Sequence, residues 1–392
     1  MLLCKSKNDL VAEYSLKDMS KPIGVSAYQI TSSLPEELER QLPSVEDIQK
    51  RIKGVNQNIS HRNHYIPQFY LKNWSSDGRT IQTYSILVSN ENVPYWTKQS
   101  IKNTAVWNDF YTRVVGVEEL DDFEHWFDRE FESPAKPIFD KLISGAKLSR
   151  EEHKALSRFV FAQYLRTPAA YLRLTKQNSK IFPNVMDTVL EKLNHASKRE
   201  FQRSRPCQSA ISKEDVLFPL KISLDRENSM VEVKTVIGKG FYLHDLKHLL
   251  TSTVRVSERL NWQVLHASDD VSFPTSDDPV ICLNYNNERD YDFDGGWGIK
   301  HGNILMPISP KLLLFSEIGE KGSYPDLDYS PMYSKLFREM IIRHAHRYVY
   351  AEHPQKGMLA LNARVVNRDW YEAEKHDMAG WHIENIKAEA NL

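Results

Sequence analysis

The middle of the chain carries apolar residues at helical spacing, whereas short apolar runs bounded by turn residues lie on both sides of it. Residues three and four apart share one face of a helix, and this spacing predicts a helix over about 117–144. Its apolar face contains Leu120, Phe123, Phe127 and Phe131. A second helix is predicted from about 150, after the capping-box pair Ser149 and Glu152. A third helical stretch covers about 171–203.

Apolar runs rich in β-branched residues predict strands before and after these helices. One run, TIQTYSIL at 80–87, follows a turn signal, and five more lie in the last third of the chain. Those five cover 261–268, 279–284, 304–309, 311–317 and 347–352. The segment 285–303 is rich in Asn, Asp and Gly, which predicts a loop long enough to lie over a site. We therefore predict an α+β fold, with a central helical pair, a basic helical region and a mixed or antiparallel β-rich portion.

Composition limits the partners and the compartment. The 392 residues are 41% hydrophobic, and 51 Lys and Arg face 52 Asp and Glu, so the formal net charge is -1. The chain can bury a core, and it has no global attraction to nucleic acid or anionic lipid. The most basic stretch, 171–205, is interpreted as a solvated face, and a nucleic-acid track is expected there if there is one.

Cysteine usage and the N-terminal sequence favour a cytoplasmic protein. Cys4, Cys207 and Cys282 lack CxxC spacing, which argues against a disulfide framework and a thiolate metal site. Neither an export signal nor a membrane span is expected. Residues 1–58 predict only short helices and are interpreted as an N-terminal helical arm or cap.

Polar side chains fall on the apolar faces of the helical pair. Gln163 and Arg166 follow Leu156 and Phe159 by seven residues, which is two turns, so both are predicted to point inward. Glu124 falls on the core side of the preceding helix. An uncompensated buried charge costs several kcal/mol, so Arg166 needs a partner, and Glu124 is the candidate. The pair has two interpretations, a structural ion pair or part of a site.

Two further stretches combine polar residues with apolar runs. HRNHYIPQFYLKNW at 61–74 contains His64 and Gln68, whereas FPTSDDPVICLN at 273–284 places four polar residues before a strand. These four are Thr275, Ser276, Asp277 and Asp278. Polar groups at the mouth of a strand are well placed to bind ligands. We interpret Asp277 as a site residue and Asp278 as a turn residue.

HYIPQFYL at 64–71, AQYLRTP at 162–168 and FPTSDDPV at 273–280 resemble, in this order, the motifs of the bacterial domain of unknown function 4238. The positions on its pattern are His64, Pro67, Gln68, Gln163, Arg166, Thr167, Pro168, Ser276, Asp277 and Pro279. Asp278 departs from the pattern, which commonly has Asn there. The resemblance implies a core domain over 59–355 and leaves 356–392 as a C-terminal tail. It implies no particular activity.

The candidate residues predict a hydrolase that acts on a phosphodiester or a nucleotide, for instance a nuclease. His64 is expected to act as general base or metal ligand, Asp277 to orient it or share the metal, and Arg166 to stabilise negative charge. Glu124 is a further catalytic candidate. The candidate ligand-binding residues are Gln68, Gln163, Thr275 and Ser276. The expected metal is Mg²⁺ or Mn²⁺, and the expected partner is a nucleic acid or nucleotide.

Two alternatives stay open at this point. In one, the same polar cluster binds a nucleotide or another anion without catalysis and works with a partner protein or within a homo-oligomer. In the other, the chain is a scaffold whose buried polar network only specifies packing. Zinc proteases with HExxH, P-loop proteins and GxSxG hydrolases are excluded, because the chain lacks those motifs.

Overall fold

The computed structural model describes residues 59–115, 118–196, 219–225, 230–320 and 324–391. The predicted N-terminal arm lies outside these ranges, and so do residues 197–205 of the basic stretch. Within them, the protein combines helices with mostly antiparallel strands. The predicted α+β fold is therefore confirmed.

Helices form the centre and the C-terminal end of the described chain. The α-helices are α1 (Gln68–Leu71), α2 (Asp122–Phe127), α3 (Ser133–Ile143), α4 (Arg150–Leu165), α5 (Pro168–Ala196), α6 (Lys239–His248), α7 (Pro331–His344), α8 (Met358–Leu361) and α9 (Arg368–Ala390). Two π-helical segments cover Asp128–Glu132 and Leu249–Thr253. Shorter 3-10 turns cover Lys72–Trp74, Ile101–Asn103, Val254–Arg259 and Pro325–Leu327.

The helix predicted from 117 begins later than its periodicity indicated. Residues Glu118–Leu120 form a strand, and the helical part starts at Asp122 and passes through the π-helical segment into α3. The predicted apolar face is nevertheless correct from Phe123 onward, since Phe123, Phe127 and Phe131 are all buried. The capping box of α4 is also confirmed: Ser149 and Glu152 each bond the other's backbone N–H.

Short strands form two larger sheets and several two-stranded pairs. They are β1 (Arg62–His64), β2 (Thr80–Ser85), β3 (Leu87–Val88), β4 (Trp96–Ser100), β5 (Val106–Asn108), β6 (Arg113–Val115), β7 (Glu118–Leu120), β8 (Leu220–Asp225), β9 (Met230–Thr235), β10 (Gln263–His266), β11 (Thr275–Ser276), β12 (Ile281–Asn287), β13 (Asp290–Asp292), β14 (Asn303–Ser309), β15 (Leu312–Glu317), β16 (Tyr348–Ala351) and β17 (Val365–Val366). One sheet has the order β10-β15-β14-β12-β13 and another β11-β16-β2-β4. Strands β1 and β5 pair, as do β6 and β7, and β8 and β9. Strand β17 pairs with β3 in parallel, whereas the other described pairs are antiparallel.

The five-stranded sheet lies between the helical pair and α7. Successive side chains of a strand point to opposite faces, so Ile304 and Met306 of β14 join the cluster that contains the buried faces of α3 and α4. Leu305 of the same strand faces a second cluster, which includes Phe337 and Ile341 of α7. The five strands predicted in the last third of the chain are confirmed. The predicted 285–303 loop also contains the end of β12 and the short strand β13.

The C-terminal segment 356–392, predicted as a tail, contains the long helix α9. Trp381 of this helix belongs to the same buried cluster as the helical pair. The domain boundaries drawn from the sequence stay predictions. Among the described residues, no helix combines the length and the apolar character needed to cross a membrane.

Candidate functional site

Arg166 lies at the end of α4 with its side chain enclosed in the core. It is 1% exposed, its Nη1 donates to Glu132 Oε1 at 2.5 Å, and its Nη2 donates to the His64 carbonyl oxygen at 2.5 Å. The guanidinium lies 4.6 Å from the centre of the Phe127 ring. Burial lowers the pKa of Arg166, but the charge of Glu132 and its neighbours outweighs this effect and leaves the pKa raised. The inward position predicted from the helical period is confirmed, and the group stays charged.

The carboxylate that pairs with Arg166 is Glu132, not the predicted Glu124. Glu132 ends the π-helical segment. A π-helix holds more residues per turn than an α-helix, so a face extrapolated from α2 at 3.6 residues per turn no longer applies at position 132. In the sequence, only the charge of Glu132 indicated a possible partner for Arg166, because the helical period did not place this residue on the buried face.

Glu124 lies beside this pair without forming it. Its side chain is half-buried, and its Oε2 has no hydrogen-bond partner among the described groups. Burial raises the pKa of Glu124 to about 7, and the charge of Glu132 adds to the rise, whereas Arg166, the His64 backbone N–H and the Asn63 side chain oppose it. Near neutral pH this carboxyl group is therefore poised to give or take a proton.

His64 contacts Arg166 through its backbone carbonyl oxygen, and its ring contacts the backbone of Lys102. Its Nε2 lies 3.2 Å from the Lys102 carbonyl oxygen. Burial lowers the pKa of His64, and the charges of Arg166 and Arg62 lower it further, although the Lys102 carbonyl and Glu132 act in the opposite direction. The imidazole is therefore neutral at pH 7, the state that a general base requires.

Gln163 is buried, and its side-chain amide contacts the backbone next to His64. Its Nε2 donates to the Tyr65 carbonyl oxygen at 2.9 Å, next to the His64 carbonyl that Arg166 holds. The structure thus brings Glu124, Gln163 and Arg166 together on the backbone of residues 63–65. We call Glu124, Glu132, His64, Gln163 and Arg166 the Arg166 cluster.

Asp277 does not join the Arg166 cluster. Its carboxylate oxygens accept the backbone N–H groups of His346 at 2.9 Å and Arg347 at 2.7 Å. The expected contact with His64 is not among the hydrogen bonds and ion pairs of the described residues. Burial raises the pKa of Asp277 to about 7, and the neighbouring Asp278 adds to the rise, although the backbone hydrogen bonds oppose it. The side chain fixes the turn before β16, because both of its oxygens already hold backbone groups.

The other predicted ligand-binding residues are spread over different environments. Thr275 is buried, with its hydroxyl 2.7 Å from the Tyr70 hydroxyl. Ser276 is buried too, and its Oγ accepts the Asp278 N–H at 3.3 Å. Gln68, the first residue of α1, is exposed to solvent. The motifs at 64–71 and 273–280 are therefore joined through Tyr70 and Thr275 in the core, and Gln68 faces outward.

A second polar cluster forms around Asp278, which we had interpreted as a turn residue. Its Oδ1 accepts the Thr167 hydroxyl at 2.9 Å, and its Oδ2 accepts Arg173 Nη1. His344 Nε2 lies 3.7 Å from Oδ2. Interpreting Arg173 as part of a solvated face was therefore incomplete, because its guanidinium pairs with the buried Asp278 carboxylate. We call Asp278, Thr167, Arg173 and His344 the Asp278 cluster.

The 285–303 loop lies against the Asp278 cluster. The Phe293 ring is 5.2 Å from the His344 ring, and the Trp297 ring is 5.8 Å from that of Tyr164. Arg173 in turn lies over the Tyr164 ring at 5.0 Å. Gly295 permits this packing, because a Cβ there would lie 2.6 Å from the Leu283 carbonyl carbon. The loop thus packs against His344 and Tyr164, which contact Asp278 and Arg173; that it lies over a site stays a prediction.

Carboxylate and imidazole atoms close enough to share one metal ion occur elsewhere. Among the described residues, the group that meets this distance condition is His301, Glu317 and Glu320, and two of its members are exposed. Neither the Arg166 cluster nor the Asp278 cluster meets it. Among the described residues, His64 and Asp277 therefore do not form a preassembled ligand set for the expected Mg²⁺ or Mn²⁺.

Comparisons with known proteins give one extended match and one short match. The profile described as a YhcG PDDEXK nuclease domain matches residues 1–43. No curated protein and no solved structure matches the chain. The profile described as protein of unknown function (DUF4238) matches residues 62–355, which is well over half of the chain and includes both polar clusters. The chain therefore belongs to the DUF4238 family.

Proposed function

We propose that the protein hydrolyses a phosphodiester of a nucleic acid or a nucleotide, with His64 and Glu124 as the acid–base pair. One observation carries the proposal: a neutral imidazole and a carboxyl group with a pKa of about 7 belong to the same cluster around Arg166. Groups that titrate near the working pH transfer protons best. The likeness of residues 1–43 to a nuclease domain supports the substrate class. A cytoplasmic location belongs to the same proposal.

Each residue of the Arg166 cluster has a separate role in this proposal. His64 takes the proton of the attacking water, and protonated Glu124 gives a proton to the leaving oxygen. Arg166 is a positioning residue, because both of its Nη atoms already donate to Glu132 and to the His64 carbonyl. Its charge still lowers the pKa of His64. Gln163 holds the backbone on which these groups sit, Asp277 fixes the turn before β16, and Gln68 contacts the substrate at the exposed rim.

The test is incubation of the full chain with RNA, single- and double-stranded DNA and nucleotides, with Mg²⁺, with Mn²⁺ or with EDTA. The expected result is cleavage by wild type and a loss of about 10²- to 10⁴-fold in His64→Ala and Glu124→Gln, the usual contribution of acid–base catalysis. His125→Ala is the matched control, since His125 follows Glu124 and its side chain is 81% exposed. Full activity of His64→Ala or Glu124→Gln would contradict the proposal. The EDTA arm tests the metal requirement separately.

The packing of the 285–303 loop against the Asp278 cluster favours a second candidate, a module that binds a nucleotide or another anion without turnover and passes the bound state to a partner protein or a second copy. Arg173, whose side chain is 38% exposed, is the cation that such a ligand would meet. This candidate predicts a rise in melting temperature with nucleotide that Arg173→Gln abolishes. Product in the ligand-binding sample would count against it.

The scaffold alternative rests on Asp277, both of whose carboxylate oxygens accept backbone N–H groups, and on the two Nη contacts of Arg166. It predicts that Asp277→Asn and His64→Ala lower only the melting temperature, with no ligand effect and no cleavage by wild type. Cleavage or specific binding by wild type would exclude it.

A further inference from the structure

Helix α9 packs through Trp381 against three aromatic rings of other segments. The Trp381 ring lies 5.3 Å from that of Trp107, 5.5 Å from that of Phe110 and 5.3 Å from that of Tyr171. The helix follows the region that matches the family, which ends at residue 355. A single large side chain therefore supplies most of the apolar docking surface of this helix, and the rest of its contact is polar.

Part of the polar contact is made with the first turn of α6, and another part is the ion pair in which Arg347 Nε donates to Glu374 Oε2 of α9 at 2.7 Å. The Lys239 N–H donates to Asn385 Oδ1 at 2.7 Å, and the Gly240 N–H donates to Glu389 Oε1 at 2.7 Å. Trp381, Asn385 and Glu389 are four residues apart and share one face of α9. Because the first N–H groups of a helix have no partner within that helix, α9 acts as the N-terminal cap of α6.

Lys239 connects the two helices through its buried side chain. Its Nζ lies 2.5 Å from His382 Nδ1 and donates to the Asp109 carbonyl oxygen at 2.5 Å. His382 Nε2 lies 3.4 Å from Glu119 Oε1. The Asp109 carboxylate also pairs with the ring of His61 at 2.7 Å. The contact between an ammonium group and an imidazole thus lies inside a small network of charged residues.

The geometry of this network requires a neutral His382. When the Nε2–H of His382 faces the Glu119 carboxylate, the ring nitrogen Nδ1 carries the lone pair that accepts from Lys239. Protonation would add a hydrogen to Nδ1 and place two positive groups 2.5 Å apart. Like charges at this distance in a buried position repel strongly. The contact therefore cannot persist once His382 is charged.

We propose that α9 is a releasable helix, latched to the core through the contact between Lys239 and His382, and that protonation of His382 releases it. The proposal goes beyond the proposed function and does not depend on it. Strand β5, which carries Trp107, pairs with β1 in the register that places Trp107 opposite Asn63. Release of α9 would therefore also remove support from the strand that carries His64.

The electrostatic surroundings of the latch set the direction of the pH effect. Burial lowers the pKa of Lys239 to about 7, and the charges of Asp109, Glu389 and Glu119 only partly oppose this. Burial also lowers the pKa of His382, and so does the charge of Lys239, whereas Glu119 and Asp109 raise it. For groups with a depressed pKa in the docked state, docking is strongest at high pH and weakens as the pH falls. Acidification is therefore the releasing signal.

The test is hydrogen exchange of the α9 amides in the full chain at about pH 6.5 and pH 5, below the ordinary pKa of histidine, after correction for intrinsic exchange rates. In wild type, α9 is expected to lose protection by up to about tenfold, because linkage to one histidine with an ordinary pKa near 6.5 limits the change over this pH range. The amides of β14 are expected to keep their protection, which separates release from global unfolding. His376→Gln, at an exposed histidine of the same helix, should behave as wild type.

His382→Gln keeps an acceptor for Lys239 and cannot become charged, so α9 protection should change little between the two pH values. Lys239→Met removes the repelling cation, so its pH-dependent loss of α9 protection should be smaller than that of wild type, with the remainder due to burial of His382; it tests the contact even if His382→Gln folds poorly. The proposal is overturned if wild-type protection does not fall with pH. It is also overturned if both variants lose α9 protection to the same extent as wild type.

Discussion

The identity of the partner of Arg166 leads to the sharpest stability prediction. Glu132→Gln and Glu124→Gln make the same chemical change at two carboxylates near one buried guanidinium. Glu132 forms the ion pair, and its side chain is 19% exposed. Glu124 has one carboxylate oxygen without a hydrogen-bond partner among the described residues, and burial raises its pKa to about 7. The two substitutions should therefore change the free energy of unfolding in different directions.

Removing one partner of a buried ion pair costs about 3–5 kcal/mol. We expect Glu132→Gln to lie near the lower end, because Glu132 is partly solvated and Arg166 keeps its bond to the His64 carbonyl. For Glu124, one pKa unit corresponds to about 1.4 kcal/mol, so the rise from 4.5 to about 7 is a penalty of at most about 3 kcal/mol. The unfolded state ionises first as the pH rises from 4.5, so the penalty develops between these values and is complete above the higher one.

The assay is urea unfolding followed by circular dichroism at about pH 8, where the penalty at Glu124 is fully present. Glu132→Gln should lower the urea midpoint, whereas Glu124→Gln should leave it unchanged or raise it. At about pH 4.5 the gain from Glu124→Gln should disappear, because the glutamate is then largely protonated when folded and increasingly so when unfolded. Equal losses in the two variants, or a larger loss for Glu124→Gln, would refute the assignment of Glu132 as the partner.

Two further substitutions test the packing of the motif segments. Tyr70→Phe removes a buried hydroxyl that lies 2.7 Å from Thr275 Oγ1, and it should lower the free energy of unfolding in urea by about 1–3 kcal/mol. Tyr95→Phe is the control and should be neutral, because the Tyr95 side chain is 55% exposed. Equal effects of the two substitutions would contradict the buried contact between Tyr70 and Thr275. Gly295→Ala places a Cβ 2.6 Å from the Leu283 carbonyl carbon, so it should displace the loop and speed its proteolysis within residues 285–303. If the variant resists the protease as well as wild type does, the loop does not lie against β12.

Much of the fold follows from periodicity that can be read in the sequence. Four strands of the five-stranded sheet, β10, β12, β14 and β15, and the capping box of α4 were predicted because each depends on neighbouring residues along the chain. The fifth strand, β13, lies in the segment predicted as a loop. Arg166 and Gln163 were predicted to face inward for the same reason. Their partners were not all predictable, because Glu132 is the last residue of a π-helical segment that a regular 3.6-residue period does not anticipate.

The remaining features depend on contacts between distant segments. Asp277 binds the backbone of residues 346 and 347, and no local pattern distinguishes such a residue from a ligand-binding carboxylate. Helix α9 buries only Trp381 and His382 among its side chains, so it has no apolar stripe and was interpreted as a tail. Lys239 sits in a Gly-Lys-Gly sequence whose glycines fit against Asn385 and Glu389, a constraint that appears only when α6 and α9 are in contact.

The pH dependence of cleavage is the most direct test of His64 and Glu124 as an acid–base pair. The active form has neutral His64 and protonated Glu124, so kcat/KM should rise with pH through the lowered pKa of His64 and fall above the pKa of Glu124, about 7. The profile should be a bell with its maximum between these two pKa values, and Glu124→Gln should lower the rate at that maximum by about 10²-fold or more. A rate that stays constant or increases above pH 7, with Glu124→Gln as active as wild type, would contradict the proposed chemistry.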